Sequence, residues 1–164
     1  MKHSLVRTIG TLVLALSLAG VAQAQQTRCE MKALEGSWAY TEGGTVSLQG
    51  TATATSAVGR YAFDRLGTFT GIQWTSTAGF AVAYDTKDGT YTVNDDCTIT
   101  MTVKGYRNGV WIRDSKWQIV LADNGKDMRG ISLSLKALLA GNWVDLSPVL
   151  TMTGTWVGGS FETR

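Results

Sequence analysis

The chain has 164 residues, with 15 Lys and Arg against 13 Asp and Glu, and it contains a single histidine, His3. Lys2 and Arg7 lie in an N-terminal segment with the pattern of a secretory signal, and the residues after it carry 13 basic and 13 acidic side chains. This balance gives no support for nucleic-acid or anionic-membrane binding. A mature chain without imidazole excludes catalysis by histidine and the ligation of a metal by histidine.

Residues 1–24 are predicted to be a signal peptide. Basic residues precede an apolar run over 9–19 that is too short to span a bilayer, and Ala22-Gln23-Ala24 matches an A-x-A cleavage site. We expect export to the periplasm or beyond, with an N-terminal membrane anchor as the alternative. Residues 25–164 are long enough for one domain with a core, and no integral membrane segment is expected in them.

Cys29 and Cys97 are the two cysteines of the chain. Their number is even and the predicted destination is oxidising, which favours a disulfide over a pair of free thiols. Closing a loop of this length would add on the order of 4 kcal/mol by restricting the unfolded chain.

Composition and patterning predict an all-β protein. Glycine is frequent, Pro148 is the single proline, and short runs are rich in Thr, Val, Tyr and Trp. In chain order we expect a helical turn over 28–35 and a first strand from Gly36. A strand that runs into a loose loop follows over 51–57. Further strands are expected near 59–64, 68–75, 80–84, 89–93, 98–103, 111–121, 129–136 and 149–157. The expected turns lie at 66–67, 86–89, 94–96 and 123–126, with one helical turn over 136–140.

Period-2 alternation within these runs indicates which side chains face the core. The predicted inward residues are Tyr61, Phe63, Tyr91, Val93, Ile99, Met101, Ile131 and Leu133.

The short spacing of the strands and the tight turns favour an antiparallel meander. Closing such a meander removes exposed strand edges, so we expect a single up-and-down β-barrel of about eight strands over residues 25–164. A β-sandwich is the competing architecture.

Two hairpins carry a resemblance to known proteins. Gly89-x-Tyr91-x-Val93-x-x-Asp96-Cys97-Thr98 and the segment 123–131 resemble motifs of small, secreted, largely uncharacterised bacterial proteins. That group is similar to calycin (lipocalin-like) or allene-oxide-cyclase-type β-barrels, which implies a barrel and no particular activity. Ile99 departs from the glycine expected after Asp-Cys-Thr.

Gly36-x-Trp38 also resembles the opening of lipocalins, in which a short helix precedes G-x-W at the start of the first strand. This resemblance implies a barrel whose base is plugged by Trp38. A clear Thr-Asp-Tyr segment and a matching closing arginine are not found.

One strand suggests a binding site. Alternation over 111–121 places Trp111, Arg113 and Trp117 on one face and Asp114 and Lys116 on the other. Turning the tryptophans outward would bury Asp114 and Lys116, which costs more than burying one arginine at a cavity mouth.

We therefore predict an internal, aromatic-lined cavity that takes a small apolar ligand with an acidic or polar end. Ordinary core tryptophans, with the arginine paired or at the rim, are the plainer interpretation. The predicted ligand-binding residues are Trp74, Trp111, Arg113, Trp117 and Trp156.

Other motifs carry no chemistry. Asp95-Asp96 and Asp85-x-x-Asp88 are typical turn formers, the calcium-ligand spacing is missing, and no cofactor or metal is expected. Three classes of function remain. The first is a ligand-binding barrel, the second is a cavity-type cyclase or isomerase, and the third is an interaction or inhibitor module with a solid core. The residue types count against most other enzymes.

Overall fold

The computed structural model describes residues 34–159, and the predicted signal peptide, Cys29 and most of the predicted 28–35 turn lie outside this part. Its regular elements are antiparallel strands and one 3-10 turn at Asp123–Gly125. The strands are β1 (Gly36–Leu48), β2 (Thr51–Phe63), β3 (Thr68–Thr77), β4 (Phe80–Val93), β5 (Thr98–Arg107), β6 (Val110–Ala122), β7 (Asp127–Leu139), β8 (Asn142–Asp145) and β9 (Pro148–Gly158).

Eight of these strands close into a barrel. Strands β1 to β7 pair in chain order, β7 then pairs with β9, and β9 pairs with β1. The short strand β8 pairs with the last residues of β7, beyond the part of β7 that β9 covers. The predicted antiparallel barrel is confirmed, and the competing sandwich is wrong because the sheet returns to its first strand.

One end of the barrel is bounded by four two-residue turns, each with a glycine in second position. In all four, both turn residues have positive φ, which is the geometry of the tight turns whose twist matches the paired strands. We call this the open end. The turns are Gln49-Gly50, Ala78-Gly79, Asn108-Gly109 and Ala140-Gly141.

The opposite end is filled with aromatic side chains, and we call it the closed end. Trp38 is fully buried there, and its indole Nε1 donates a hydrogen bond of 2.9 Å to the carbonyl oxygen of Leu34. Tyr61, Phe63 and Phe69 pack ring against ring, with centroids 4.8 to 5.9 Å apart. The expected plug at the base of the barrel is therefore present.

The central hairpin is confirmed. Strand β4 ends at Val93 and β5 begins at Thr98, and the carboxylate of Asp96 accepts hydrogen bonds from the backbone and hydroxyl of Thr98 at 3.0 and 2.7 Å. The same contacts hold the pKa of Asp96 below its ordinary value, despite a small opposing effect of desolvation. Asp96 is thus a turn former, as the sequence indicates. Cys97, next in the chain, has a φ of 64°.

Three local expectations are wrong. Residues 51–57 are paired strand rather than loop, because β2 is hydrogen-bonded to β1 from Thr51 onward. Residues 86–89 do not turn: β4 continues, and Gly89 lies under the ring of Phe69, whose atoms are 2.5 Å from the place a Cβ would occupy. Residues 136–139 are strand rather than helix, because β6 and β8 pair with both edges of β7 there.

Five of the predicted inward residues are buried, and Val93 packs half-buried against the same core. Ile131 and Leu133 are wrong, since both are about half exposed. The cause is a β-bulge: Lys116 pairs with Ser134 but Trp117 pairs with Ser132, so Leu133 is an extra residue. The bulge shifts the alternation of β7, and the inward face runs through Met128 and Leu135.

Two aspartate substitutions on β7 test this assignment. Met128→Asp should lower the free energy of unfolding by several kcal/mol, because it buries an unpaired charge. Ile131→Asp, three residues along, should change it by less than about 1 kcal/mol because the site is exposed. Urea unfolding of both variants measures the difference, and equal losses would contradict the bulged register.

Candidate functional site

The structure divides the predicted site residues between the two faces of the barrel wall. Arg113 and Trp117 point inward and are buried. Trp74, Trp111 and Trp156 lie on the outside, with 51%, 39% and 43% of their surface exposed. The expectation that all five line one internal cavity is therefore wrong.

A β-bulge in β6 explains the placement of Trp111. Tyr106 pairs with Trp111 but Gly105 pairs with Arg113, which leaves Ile112 as an extra residue. Trp111 is thereby turned to the outer face, where its indole Nε1 donates to the carbonyl oxygen of Arg113 at 2.9 Å.

The other two exposed tryptophans differ in register. Trp74 follows the inward residue Gln73 on β3 and so points outward. Trp156 pairs with the inward Trp38, but the pairing of β1 and β9 shifts there, because Ser37 pairs with Gly158. The indole of Trp156 is exposed at the closed end, and its Nε1 donates to the carbonyl oxygen of Glu35 at 3.3 Å.

The barrel interior contains a buried polar cluster. Glu42 of β1 and Arg113 of β6 are only 7% and 8% exposed, and Arg113 Nη2 lies 3.4 Å from Glu42 Oε2. Gln73 Nε2 of β3 donates to the same oxygen at 2.9 Å. Glu42 is not among the predicted site residues, although it lies on the inward face of β1, the same face as the recognised Trp38.

Several atoms of this cluster have no hydrogen-bond partner within residues 34–159. Each is inside the barrel, where an unsatisfied polar atom costs about 1–3 kcal/mol. They are Glu42 Oε1, Arg113 Nε and Thr75 Oγ1. The cluster thus holds unused donors and acceptors.

Burial dominates the electrostatics of the cluster. It raises the pKa of the Glu42 carboxyl, and the attraction of Arg113 and the hydrogen bonds from Arg113 and Gln73 only partly oppose this. It also raises the pKa of Tyr40 and Tyr61, with a further contribution from the charge of Glu42, so both phenols stay protonated. Their rings stack at 4.3 Å with an interplanar angle of 13°.

A cavity of about 100 Å³ lies above the cluster, toward the open end. Glu42, Arg113 and Thr75 are in its lining, so its inner part is polar. The apolar part of the lining comes from both halves of the barrel and consists of Val46, Tyr84, Ile112, Leu135, Ala137, Leu146 and Leu150. Apolar walls around a few fixed polar groups are typical of a ligand pocket.

Among residues 34–159, no group of three or more His, Cys, Asp or Glu side chains is placed to hold a metal ion. No helix in the same range is long and apolar enough to cross a bilayer.

Neither a protein family, nor a curated protein, nor a solved structure matches this chain. The candidate site therefore depends on the geometry of the barrel interior.

A pH-dependent stability is expected from Glu42. Because its folded-state pKa is raised, the carboxyl contributes stability that is complete below the unfolded pKa of about 4.3 and is lost as the pH rises through the folded pKa. We therefore compare the free energy of unfolding of the protein with that of the Glu42→Gln variant. The difference should fall as the pH rises from the unfolded to the folded pKa of Glu42, by about 1.4 kcal/mol for each unit by which folding raises that pKa.

Urea unfolding at several pH values measures this difference. Gln73→Met is the matched variant: it removes a donor that stabilises the carboxylate, so the decline should extend to higher pH. Parallel curves for the protein and Glu42→Gln would contradict the raised pKa.

Proposed function

We propose that this protein is a ligand-binding barrel that takes a small, mainly apolar molecule with an uncharged polar end into the cavity at its open end. The observation that carries the proposal is the set of unpaired, buried polar atoms on Glu42, Arg113 and Thr75, which line this cavity. A molecule with one donor and one acceptor would satisfy atoms that otherwise remain without partners.

The charge of the cluster decides what the polar end should be. An arginine without a partner would select an acid, but Glu42 already lies 3.4 Å from Arg113. A ligand carboxylate would have to approach Glu42 as well, and an ammonium group would have to approach Arg113. A neutral amide or alcohol avoids both repulsions, because it accepts from Arg113 Nε and donates to Glu42 Oε1.

The volume limits the ligand. An apolar cavity of about 150 Å³ holds one benzene molecule, and drug-sized ligands occupy pockets above about 300 Å³. A cavity of about 100 Å³ therefore takes a head group and a chain of a few carbon atoms. A longer chain would extend through the open end.

A cavity-type isomerase or cyclase is the second candidate. Buried Glu42 has a raised pKa, and the protonated hydroxyls of Tyr40 and Tyr61 belong to the same polar cluster. A carboxyl and a phenol are the groups needed to move a proton within a bound substrate. Chemical conversion of a ligand, rather than its binding, distinguishes this candidate.

We further propose that the barrel is exported after removal of residues 1–24 and belongs among calycin-like secreted proteins. The N-terminal pattern supports export, and the closed eight-stranded barrel with a buried Trp38 is compatible with that kinship.

Binding is tested with a matched series of four-carbon probes. Butanamide should bind saturably with a roughly millimolar Kd, while butanoate and butylammonium should bind at least about tenfold more weakly. Ala137→Phe, which fills the cavity, should abolish binding, whereas Ala83→Phe on the outer face of β4 should not.

Isothermal titration calorimetry measures the affinities, and NMR spectra of the same samples report any conversion of a probe. Equal effects of the two phenylalanine substitutions, or no saturation by any probe, would overturn the ligand-binding proposal. Under that outcome the surface-acting module becomes the better interpretation.

The expected disulfide has its own test. Trypsin cleaves after Arg28 and Lys32, so non-reduced protein should yield the peptide 29–32 linked to the peptide 88–104, which contains Cys97. Reduction should separate the two peptides and lower the free energy of unfolding by a few kcal/mol. Mass spectrometry that finds two free thiols in the denatured, exported protein would refute the pairing.

A further inference from the structure

The outer surface of the barrel carries a second concavity, which the ligand cavity does not include. It lies across β5, β6, β7 and β8 and has a volume of about 410 Å³. Trp111 and Trp143 belong to its lining together with Lys116 and Lys136. We call it the outer groove.

The aromatic part of the outer groove is fixed in position. The rings of Trp111 and Trp143 contact each other with centroids 4.6 Å apart and an angle of 52° between their planes. The bulge at Ile112 and the hydrogen bond to the Arg113 carbonyl hold Trp111 outward, and both indoles are about 40% exposed, at 39% and 41%. Two large apolar rings are thus held at the surface rather than hidden.

The floor of the outer groove is polar and follows the strand register. Thr102, Lys116 and Ser134 form one row across β5, β6 and β7. Hydroxyl groups at both ends of this row can donate or accept, and Lys116 supplies a cation between them. The floor therefore offers hydrogen bonds in several directions.

A second row adds more charge. Lys104, Asp114 and Lys136 lie in register on the same three strands, and Lys104 also lies 5.4 Å from the centroid of the Trp111 ring. Asp145 of β8 is the register partner of Lys136, but its carboxylate accepts from the backbone N–H of Ser147.

The balance of charge in and beside the outer groove is positive. Three lysines face Asp114 and Asp145, and within residues 34–159 none of the three forms an ion pair of 4 Å or less. The ammonium groups of Lys116 and Lys136, which line the groove, are thus available to an anionic partner.

We propose that the outer groove binds an acidic saccharide, specifically a segment of a uronic-acid polymer. The C–H face of a pyranose ring packs on an indole, the sugar hydroxyls bond Thr102 and Ser134, and the carboxylate meets Lys116 and Lys136. A planar nucleobase fits less well, because the tilted, touching indoles leave no slot with parallel walls. A fatty acid would place its chain on the charged floor.

The experiment titrates the protein with tetragalacturonate, with maltotetraose as the neutral saccharide and with AMP as the nucleotide. We expect saturable binding of tetragalacturonate, weaker binding of maltotetraose, and loss of the difference in high salt. NMR titration gives the Kd values and reports whether each variant is folded.

Variants separate the two kinds of contact. Trp143→Ala should weaken the binding of both saccharides about tenfold or more. Trp74 is an exposed tryptophan on β3 outside the outer groove, so Trp74→Ala should have no effect on this binding. The double change Lys116→Gln and Lys136→Gln should remove the preference for the acidic saccharide, and Lys87→Gln should retain it.

Three outcomes would overturn the proposal. They are tighter binding of AMP than of tetragalacturonate, equal losses from Trp143→Ala and Trp74→Ala, and no saturation by either saccharide up to about 10 mM, the range of very weak affinity. Ala137→Phe, which fills the internal cavity, should leave saccharide binding unchanged. The proposal for the internal cavity and the proposal for the outer groove can therefore fail independently of each other.

Discussion

Closure of the sheet is the constraint on which the rest of this structure depends. Strand β7 is hydrogen-bonded to β6 along one edge and to β9 and β8 along the other, and β9 completes the circle by pairing with β1. A closed sheet leaves no exposed edge among its eight strands, and its register decides for every residue whether it points inward or outward. The register sets the direction of charged and apolar side chains alike. Glu42 and Arg113 therefore point into the barrel and face each other there.

The two ends of the barrel use the enclosed space differently. Aromatic and large apolar side chains fill the closed end, where close packing is worth several kcal/mol for each large side chain. Toward the open end a cavity remains between apolar side chains, and at its inner part Glu42, Gln73 and Arg113 satisfy one another only in part. A half-satisfied buried network is costly for the stability of the fold.

Local sequence signals predicted much of the fold. The alternation of apolar and polar residues predicted strands β5 and β6 and the inward residues of β2, β4 and β5. Asn94, Asp95 and Asp96 predicted the central turn correctly. What alternation cannot show is a bulge, because an extra residue changes the phase without changing the composition. The errors of face at Ile131, Leu133 and Trp111 occur at or beside such an extra residue. Glu42 was missed for a different reason: a carboxylate between Thr41 and Gly43 looks exposed until its partner on β6, 71 residues away, is brought next to it.

The bulge at Ile112 connects the two proposed sites physically. Within three consecutive residues, Trp111 is turned to the outer groove, while Ile112 and Arg113 line the internal cavity. The indole of Trp111 is hydrogen-bonded to the carbonyl of Arg113, so the backbone that positions the guanidinium also positions the outer ring. Bulges commonly change the direction of side chains next to functional sites. Here one extra residue lets Trp111 point to the outer face of the barrel wall while Arg113 points to the inner face. If β6 alternated strictly, Trp111 and Arg113 would both point inward. The outer groove would then lose one of its two tryptophans, and β6 could contribute to one site at most.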